Sequence, residues 1–204
     1  MNDNSLQIID NFLDKPKFDV IAEAILGSKF PWFYGEKVSL DPYDAKSIKD
    51  PLARETYGFH HVIFDREWSV KSYCYDLLIP LFDKLQETFG YTQDHMIRTR
   101  MGLKFQQQGF TKENYNLPHV DYYYPHDTLI FYLHDTDGDT RIFNEWHTHN
   151  NAKLIDLPTT FTTQSRVEPK ANRLVLINGL QFHTASNPID YTKRAIININ
   201  YYPR

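Results

Sequence analysis

The chain has 204 residues, 41% of them hydrophobic, which suffices for one well-buried core and makes one domain the expectation. A net charge of −4 without a long basic block argues against tight, non-specific nucleic-acid binding. A single cysteine, Cys74, excludes an internal disulfide framework and fits a reducing compartment.

The opening Met1-Asn2-Asp3-Asn4-Ser5 has neither a basic n-region nor an apolar core, so no signal peptide is expected. Nothing approaches 18 consecutive apolar residues, so the expectation is no membrane span and a cytoplasmic protein. Oligomeric state has no sequence signal. Fourteen Tyr and fourteen Phe favour strands over a helical bundle.

In chain order, residues 6–9 form a short strand candidate closed by Asp10-Asn11. Asp14 and Pro16 signal a helix start, Phe18, Ile21, Ala22, Ile25 and Leu26 recur at helical spacing, and Gly27 is a stop. The run Phe30-Pro31-Trp32-Phe33-Tyr34 reads as core filler over a sheet edge, with a cleft wall as the rival. Residues 36–56 are loop-like with Pro42 and Pro51 as breakers, and residues 57–64 read as a strand. Residues 69–89 carry a helical apolar stripe that makes Cys74 a packing residue. Pro80 predicts a kink or break in it and Gly90 an end.

After Met96 the pattern is strand and turn, with strands expected at about 96–106, 118–124, 128–134, 140–145, 162–168, 172–178, 181–185 and 194–202. Asn178-Gly179 predicts a hairpin turn, and Asn187-Pro188 opens the last loop. Eight strands behind two helices predict a mainly β fold. It is a double-stranded β-helix (jelly-roll) barrel of about residues 96–204, buttressed by N-terminal α-helices within about 1–95.

The chemistry concentrates between His119 and Arg194. On a strand His119 and Asp121 point the same way, roughly 6–7 Å apart at Cβ, close enough to share one metal ion. His183 is the candidate third ligand. Two histidines and one carboxylate leave coordination positions open, a set that suits non-haem Fe(II) oxygenases. Arg194 offers a rigid fork of donors suited to a dicarboxylate co-substrate.

These residues lie in a segment that resembles the Fe(II)/2-oxoglutarate dioxygenase superfamily, most of all its prolyl 4-hydroxylase branch. The likeness is carried by His119-Val120-Asp121, Phe131-Tyr132-Leu133-His134, Gly138-Asp139-Thr140-Arg141-Ile142-Phe143, residues 168–177, His183 and Arg194-Ala195-Ile196-Ile197. It covers about residues 96–202. It implies a jelly roll with Fe(II) held by His119, Asp121 and His183, and 2-oxoglutarate bound by Arg194 with a hydrogen bond from Tyr132. It further implies O2 as oxidant, with ascorbate a candidate cofactor beside it. The expected activity is hydroxylation of a C–H bond in a peptidyl or free amino-acid substrate, proline first, with 2-oxoglutarate decarboxylated to succinate. The branch often has two glycines where Gly138-Asp139 stand, and its hypoxia-sensing members carry Trp at the place of Asn200.

Other residues admit two readings. Arg98, Arg100 and Lys104 share one face of the 96–106 strand, either a solvent face or a lining for an anionic substrate. Asn198 shares a strand face with Arg194 and is a possible substrate contact. His60 and His61 point opposite ways and read as structural; His126 and His134 read as surface or strand-end residues. His147-Thr148-His149 lacks the following Glu of a cupin metal site. The polar loop 106–117 is either a lid or a surface connection. Two rival functions remain: a catalytically silent jelly-roll binding module, and an oxygenase acting on another small molecule or an alkylated base. No second arginine follows Arg194 before Pro203 to support a base-acting enzyme.

Overall fold

The period-two alternation of the long strands sets the architecture. In β6 (Met96–Phe105), Met101 and Leu103 point one way while Arg98, Arg100 and Lys104 point the other. In β13 (Lys193–Tyr201), Ala195, Ile197 and Ile199 oppose Arg194, Ile196, Asn198 and Asn200. In the computed structural model, which describes residues 6–37, 48–148 and 158–204, the apolar faces of these strands form a core with the helices.

Two helices supply that layer. α1 (Lys15–Leu26) buries Phe18, Ile21, Ala22 and Ile25, and the Phe18 ring meets Phe131 edge-on at 6.0 Å. Each such apolar side chain withdrawn from water contributes about 1.5–3 kcal/mol. α2 (Ile79–Phe89) buries Leu81, Leu85 and Phe89 and ends at Gly90, whose φ of 74° is left-handed. The helix expected over 69–89 is shorter because Pro80 lies in the first turn of α2 and starts it. Upstream lie a short β5 (Val70–Lys71) and a 3-10 turn at Tyr75–Leu78, with half-buried Cys74 packed against the core. No helix among the described residues is long and apolar enough to cross a membrane.

The large sheet contains eight strands. With β1 (Gln7–Ile9), β2 (Phe33–Gly35), β4 (Gly58–Asp65), β8 (Asp127–Tyr132) and β11 (Leu174–Asn178), its order is β1-β11-β8-β13-β6-β4-β2, and β5 pairs with β4. A smaller sheet has the order β10-β9-β12, built from β10 (Thr163–Val167), β9 (Thr140–Trp146) and β12 (Gln181–Ala185). Between the sheets, Ile130, Tyr132 and Val175 pack on Ile142 and Val167. A short parallel pair, β3 (Ala53–Arg54) with β7 (Tyr115–Asn116), closes one side. This is the mainly β, jelly-roll arrangement with buttressing helices that the pattern predicts.

Three expectations are corrected. The strand expected over 118–124 is only a single bridge, His119 to His183. Asn178-Gly179 does not form a hairpin, because β11 and β12 belong to different sheets. Gly179 instead lies under His126, accepting no side chain there: a Cβ would meet Nε2 of His126 at 2.1 Å. His126 is accordingly buried rather than on the surface. The aromatic run divides, with Phe30 and Trp32 packed against the core and Phe33 and Tyr34 exposed.

Candidate metal centre

Two elements bring the ligand candidates together. The backbone N–H of His119 donates to the His183 carbonyl at 3.0 Å and the His183 N–H donates to the His119 carbonyl at 3.0 Å, which sets the two imidazoles side by side with centroids 5.0 Å apart. Asp121 follows two residues on. One ligand atom from each of His119, Asp121 and His183 lies within 4.8 Å of the others. The predicted convergence therefore holds although the strand it was argued from is absent.

Each imidazole is oriented from behind. Nδ1 of His119 donates to the Leu117 carbonyl at 3.1 Å, and Nδ1 of His183 to the Gln181 carbonyl at 3.0 Å. Holding the proton on Nδ1 leaves Nε2 as a lone pair aimed at the centre. His183 Nε2 is buried, 3.8 Å from Oδ2 of Asp121, and has no hydrogen-bond partner among the described residues. A buried acceptor is rarely left so. With a neutral nitrogen and a carboxylate oxygen facing the same point, this donor set fits a divalent metal.

Asp121 is fixed by four donors. Arg98 Nη2 reaches Oδ1 at 2.9 Å, and Oδ2 accepts from Asn200 at 2.8 Å, Asn198 at 3.2 Å and Thr128 at 3.2 Å. Burial pushes the carboxyl up. The Arg98 guanidinium, and after it the imidazoles of His183 and His119, outweigh this and hold it well below the usual carboxylate range.

The strand register orders the rest of the cavity into rows. Arg98, Asn200 and Thr128 are paired neighbours, as are Arg100, Asn198 and Ile130, and then Lys104 with Arg194. The first row holds Asp121. The last is deepest: Arg194 is buried, donating from Nε to the Gly138 carbonyl at 2.5 Å and from Nη2 to Thr140 at 2.9 Å. Tyr132 shares a 2.6 Å hydrogen bond with the same Thr140 hydroxyl and lies under the guanidinium, 5.7 Å from its carbon. Burial, then the positive charges of Arg194 and Arg100, push the Lys104 ammonium well below its ordinary value.

The solvent-face reading of Arg98, Arg100 and Lys104 is thus overturned. Arg98 grips Asp121, while Arg100 and Lys104 line a cavity of about 90 Å³ together with the ligand candidates, Arg194 and Asn198. His60 also lines it, whereas His61 is structural, bridging the Pro31 carbonyl and Ser72. His134 accepts from the Ala195 N–H at 3.0 Å. His147 stacks on Tyr123 at 4.8 Å, and His149 lies outside the described residues. The 106–117 segment is tied down by Arg141, which donates to the carbonyls of Lys112 and Glu113. The sequence assigns no role to Thr128, Thr140 or Gly138, although Gly138 and Thr140 lie in a segment that carries the family likeness and Thr128 shares strand parity with Ile130 and Tyr132.

No family model matches the sequence, and no curated protein matches it. Solved structures do. The non-heme alpha-ketoglutarate-dependent epimerase SnoN from nogalamycin biosynthesis is 10% identical, with a TM-score of 0.59, over 98% of this chain and 82% of that one. A prolyl hydroxylase from Trichoplax adhaerens, solved with a hypoxia-inducible-factor peptide fragment, is 15% identical with a TM-score of 0.55, covering 98% and 84%. A prolyl-4-hydroxylase from Pseudomonas putida is 14% identical with a TM-score of 0.52, covering 99% and 94%. The chain has the fold of the iron- and 2-oxoglutarate-dependent oxygenases, prolyl hydroxylases included. Alpha-ketoglutarate and 2-oxoglutarate are the same compound.

Proposed function

We propose that the protein is a non-haem Fe(II)- and 2-oxoglutarate-dependent oxygenase. It hydroxylates a C–H bond of an amino-acid substrate, peptidyl or free, with proline the leading candidate. The observation that carries this is the convergence of His119, Asp121 and His183 within 4.8 Å, beside a cavity whose deep end holds a buried guanidinium.

His119, Asp121 and His183 would hold the iron, and Arg194, steadied by Thr140 and Gly138, would take the distal carboxylate of 2-oxoglutarate. Bound iron, 2-oxoglutarate and dioxygen supply the oxidising chemistry, in which a substrate C–H becomes C–OH as 2-oxoglutarate is cleaved to succinate and carbon dioxide. The protein's part is positional. The Leu117 and Gln181 carbonyls fix the histidine tautomers, four donors fix Asp121, and the apolar layer of Ile130 and Ile196 limits water at the inner wall. A silent binding module would have no use for so fully oriented a ligand set.

The test is an anaerobic titration of the protein with Fe(II) and then 2-oxoglutarate, followed by absorption. His119→Ala and His183→Ala are expected to lose iron retention. An iron content in either purified variant equal to that of the wild type would overturn the assignment.

A further inference from the structure

Resting on the oxygenase reading, we infer that Gly102 is a specificity-determining residue for the co-substrate. The side chain it lacks leaves the room in which the two methylene carbons of 2-oxoglutarate lie against Ile196.

Nothing in the local structure asks for glycine at this place. Gly102 lies inside β6, and among the described glycines only Gly90 and Gly109 have a left-handed φ. Apart from its chain neighbours, a Cβ added to Gly102 would meet only Ile196 among the described residues. The nearest atom is Cγ1 at 3.5 Å, an ordinary contact. Gly138 and Gly179 differ, since a Cβ there would strike a neighbour at 2.7 Å and 2.1 Å. Glycine inside a strand weakens it, because more chain freedom is lost on folding and no side chain packs. The strand is therefore weakened at a point on the cavity wall, and the fold gains nothing from it.

The register says what the open space faces. Gly102 pairs with Ile196 on β13 and with His60 on β4, and Ile196 pairs with Tyr132 on β8. In this row across four strands Gly102 is the position without a side chain. The row of Lys104 and Arg194 comes next on one side, about 6–7 Å away at two residues per step. On the other side come Arg100 with Asn198, and then Arg98 with Asn200, which hold Asp121. A molecule reaching from the Arg194 guanidinium back to the metal ligands must cross the row of Gly102 and Ile196.

The order of polarity along these rows matches that of 2-oxoglutarate. The cations Lys104 and Arg194 meet its distal carboxylate, and the apolar surface of Ile196, packed on the Ile130 cluster, meets its methylenes. The polar row and the ligand candidates meet its 2-oxo acid end. A methyl group at position 102 would intrude on the carbon chain, and a branched side chain would close the space. Close-packed sites tolerate added carbon atoms poorly.

The test is an anaerobic calorimetric titration of 2-oxoglutarate into the Fe(II)-loaded wild type, Gly102→Ala and Gly102→Val. Iron affinity and the urea midpoint of each ligand-free protein are measured beside it. Affinity for 2-oxoglutarate is expected to fall about fivefold in Gly102→Ala and about 100-fold in Gly102→Val. Iron affinity should stay within about twofold, because the added Cβ touches no ligand candidate. The urea midpoint of Gly102→Ala should equal or exceed that of the wild type, since alanine restricts the unfolded chain. A glycine kept for the fold alone would do the reverse, with a lowered midpoint and 2-oxoglutarate affinity intact. A lowered midpoint in Gly102→Ala overturns the proposal, as does an unchanged 2-oxoglutarate affinity in Gly102→Val. So does a loss of iron affinity that matches the loss of 2-oxoglutarate affinity. A wild type that forms no complex with Fe(II) and 2-oxoglutarate would instead sink the oxygenase reading itself.

Discussion

Arg98 donates from Nη2 to Oδ1 of Asp121 at 2.9 Å, with the two side chains 11% and 6% exposed. The pair crosses from the large sheet to the segment carrying the ligand candidates, so the sheet itself dictates where the carboxylate points. Replacing Arg98 by Met removes this grip but leaves Asn200, Asn198 and Thr128 on Oδ2. Loss of such an orienting partner typically weakens metal binding about 10- to 100-fold. A metal titration of Arg98→Met should show that loss in a protein that still folds. Wild-type affinity would mean the pair serves packing alone.

Arg194 and Gly138 should behave as one unit in co-substrate binding. A methyl group on Gly138 would lie 2.7 Å from Cδ of Arg194 and 2.8 Å from the Ser186 carbonyl oxygen, both too close to tolerate. Gly138→Ala must therefore push the guanidinium out of place. We expect it to weaken 2-oxoglutarate binding roughly tenfold or more. Arg194→Ala should cost about 2–5 kcal/mol in the same equilibrium. Iron affinity should survive in both. An unchanged 2-oxoglutarate affinity in Arg194→Ala would move the anchor to Lys104.

Much of this was legible before any coordinates, because strand parity is a property of sequence. Alternation made Arg194 and Asn198 share a face in β13 and set Met101 and Leu103 against Arg100 and Lys104 in β6. Parity cannot say what covers a polar face. A cavity wall and a solvent face read alike, which is why the sequence leaves both readings open for Arg98, Arg100 and Lys104. The convergence at His119 was expected from strand geometry, yet what brings His183 to it is the backbone bridge from His119 to His183, a contact 64 residues apart in sequence (183 − 119) that no local pattern encodes. Asn178-Gly179 misled for a related reason. The same dipeptide that closes hairpins also turns the chain from one sheet to the other, and only the pairing partners of β11 and β12 distinguish the two.

The N-terminal segment is fastened to the barrel in part by Asn172. Asn172 accepts from the Leu13 N–H at 2.9 Å and donates to the Leu13 carbonyl at 2.8 Å, both buried, while its own φ is 63°. Asn tolerates that left-handed backbone better than most residues. Asn172→Ala loses two buried hydrogen bonds and adds backbone strain, together about 2–4 kcal/mol. The urea midpoint should drop accordingly, with Asn172→Gly falling less because glycine relieves the strain. Identical midpoints for Ala and Gly would show that the backbone term is negligible here.

Lys104 should make the ligand-free protein more stable as the solution becomes more alkaline. Its ammonium is buried near Arg194 and Arg100, so the folded state resists a proton that the unfolded chain, with a lysine pKa near its ordinary 10.5, accepts readily. Between the depressed folded value and 10.5 the unfolded state binds more protons, and stability attributable to this group therefore rises with pH across that window. Lys104→Met should remove the dependence, and should stabilise the ligand-free protein most at the acidic side of the window. Binding of 2-oxoglutarate reverses the balance, because its carboxylate beside Lys104 and Arg194 favours the charged ammonium. The affinity of the wild type for 2-oxoglutarate should consequently fall as pH rises, and that of Lys104→Met should fall less. Thermal unfolding and 2-oxoglutarate titration of both proteins at about pH 7 and about pH 9.5 would check the two slopes together. Parallel stability curves for wild type and variant would show that Lys104 keeps an ordinary pKa, and that its burial is relieved by a group other than the co-substrate.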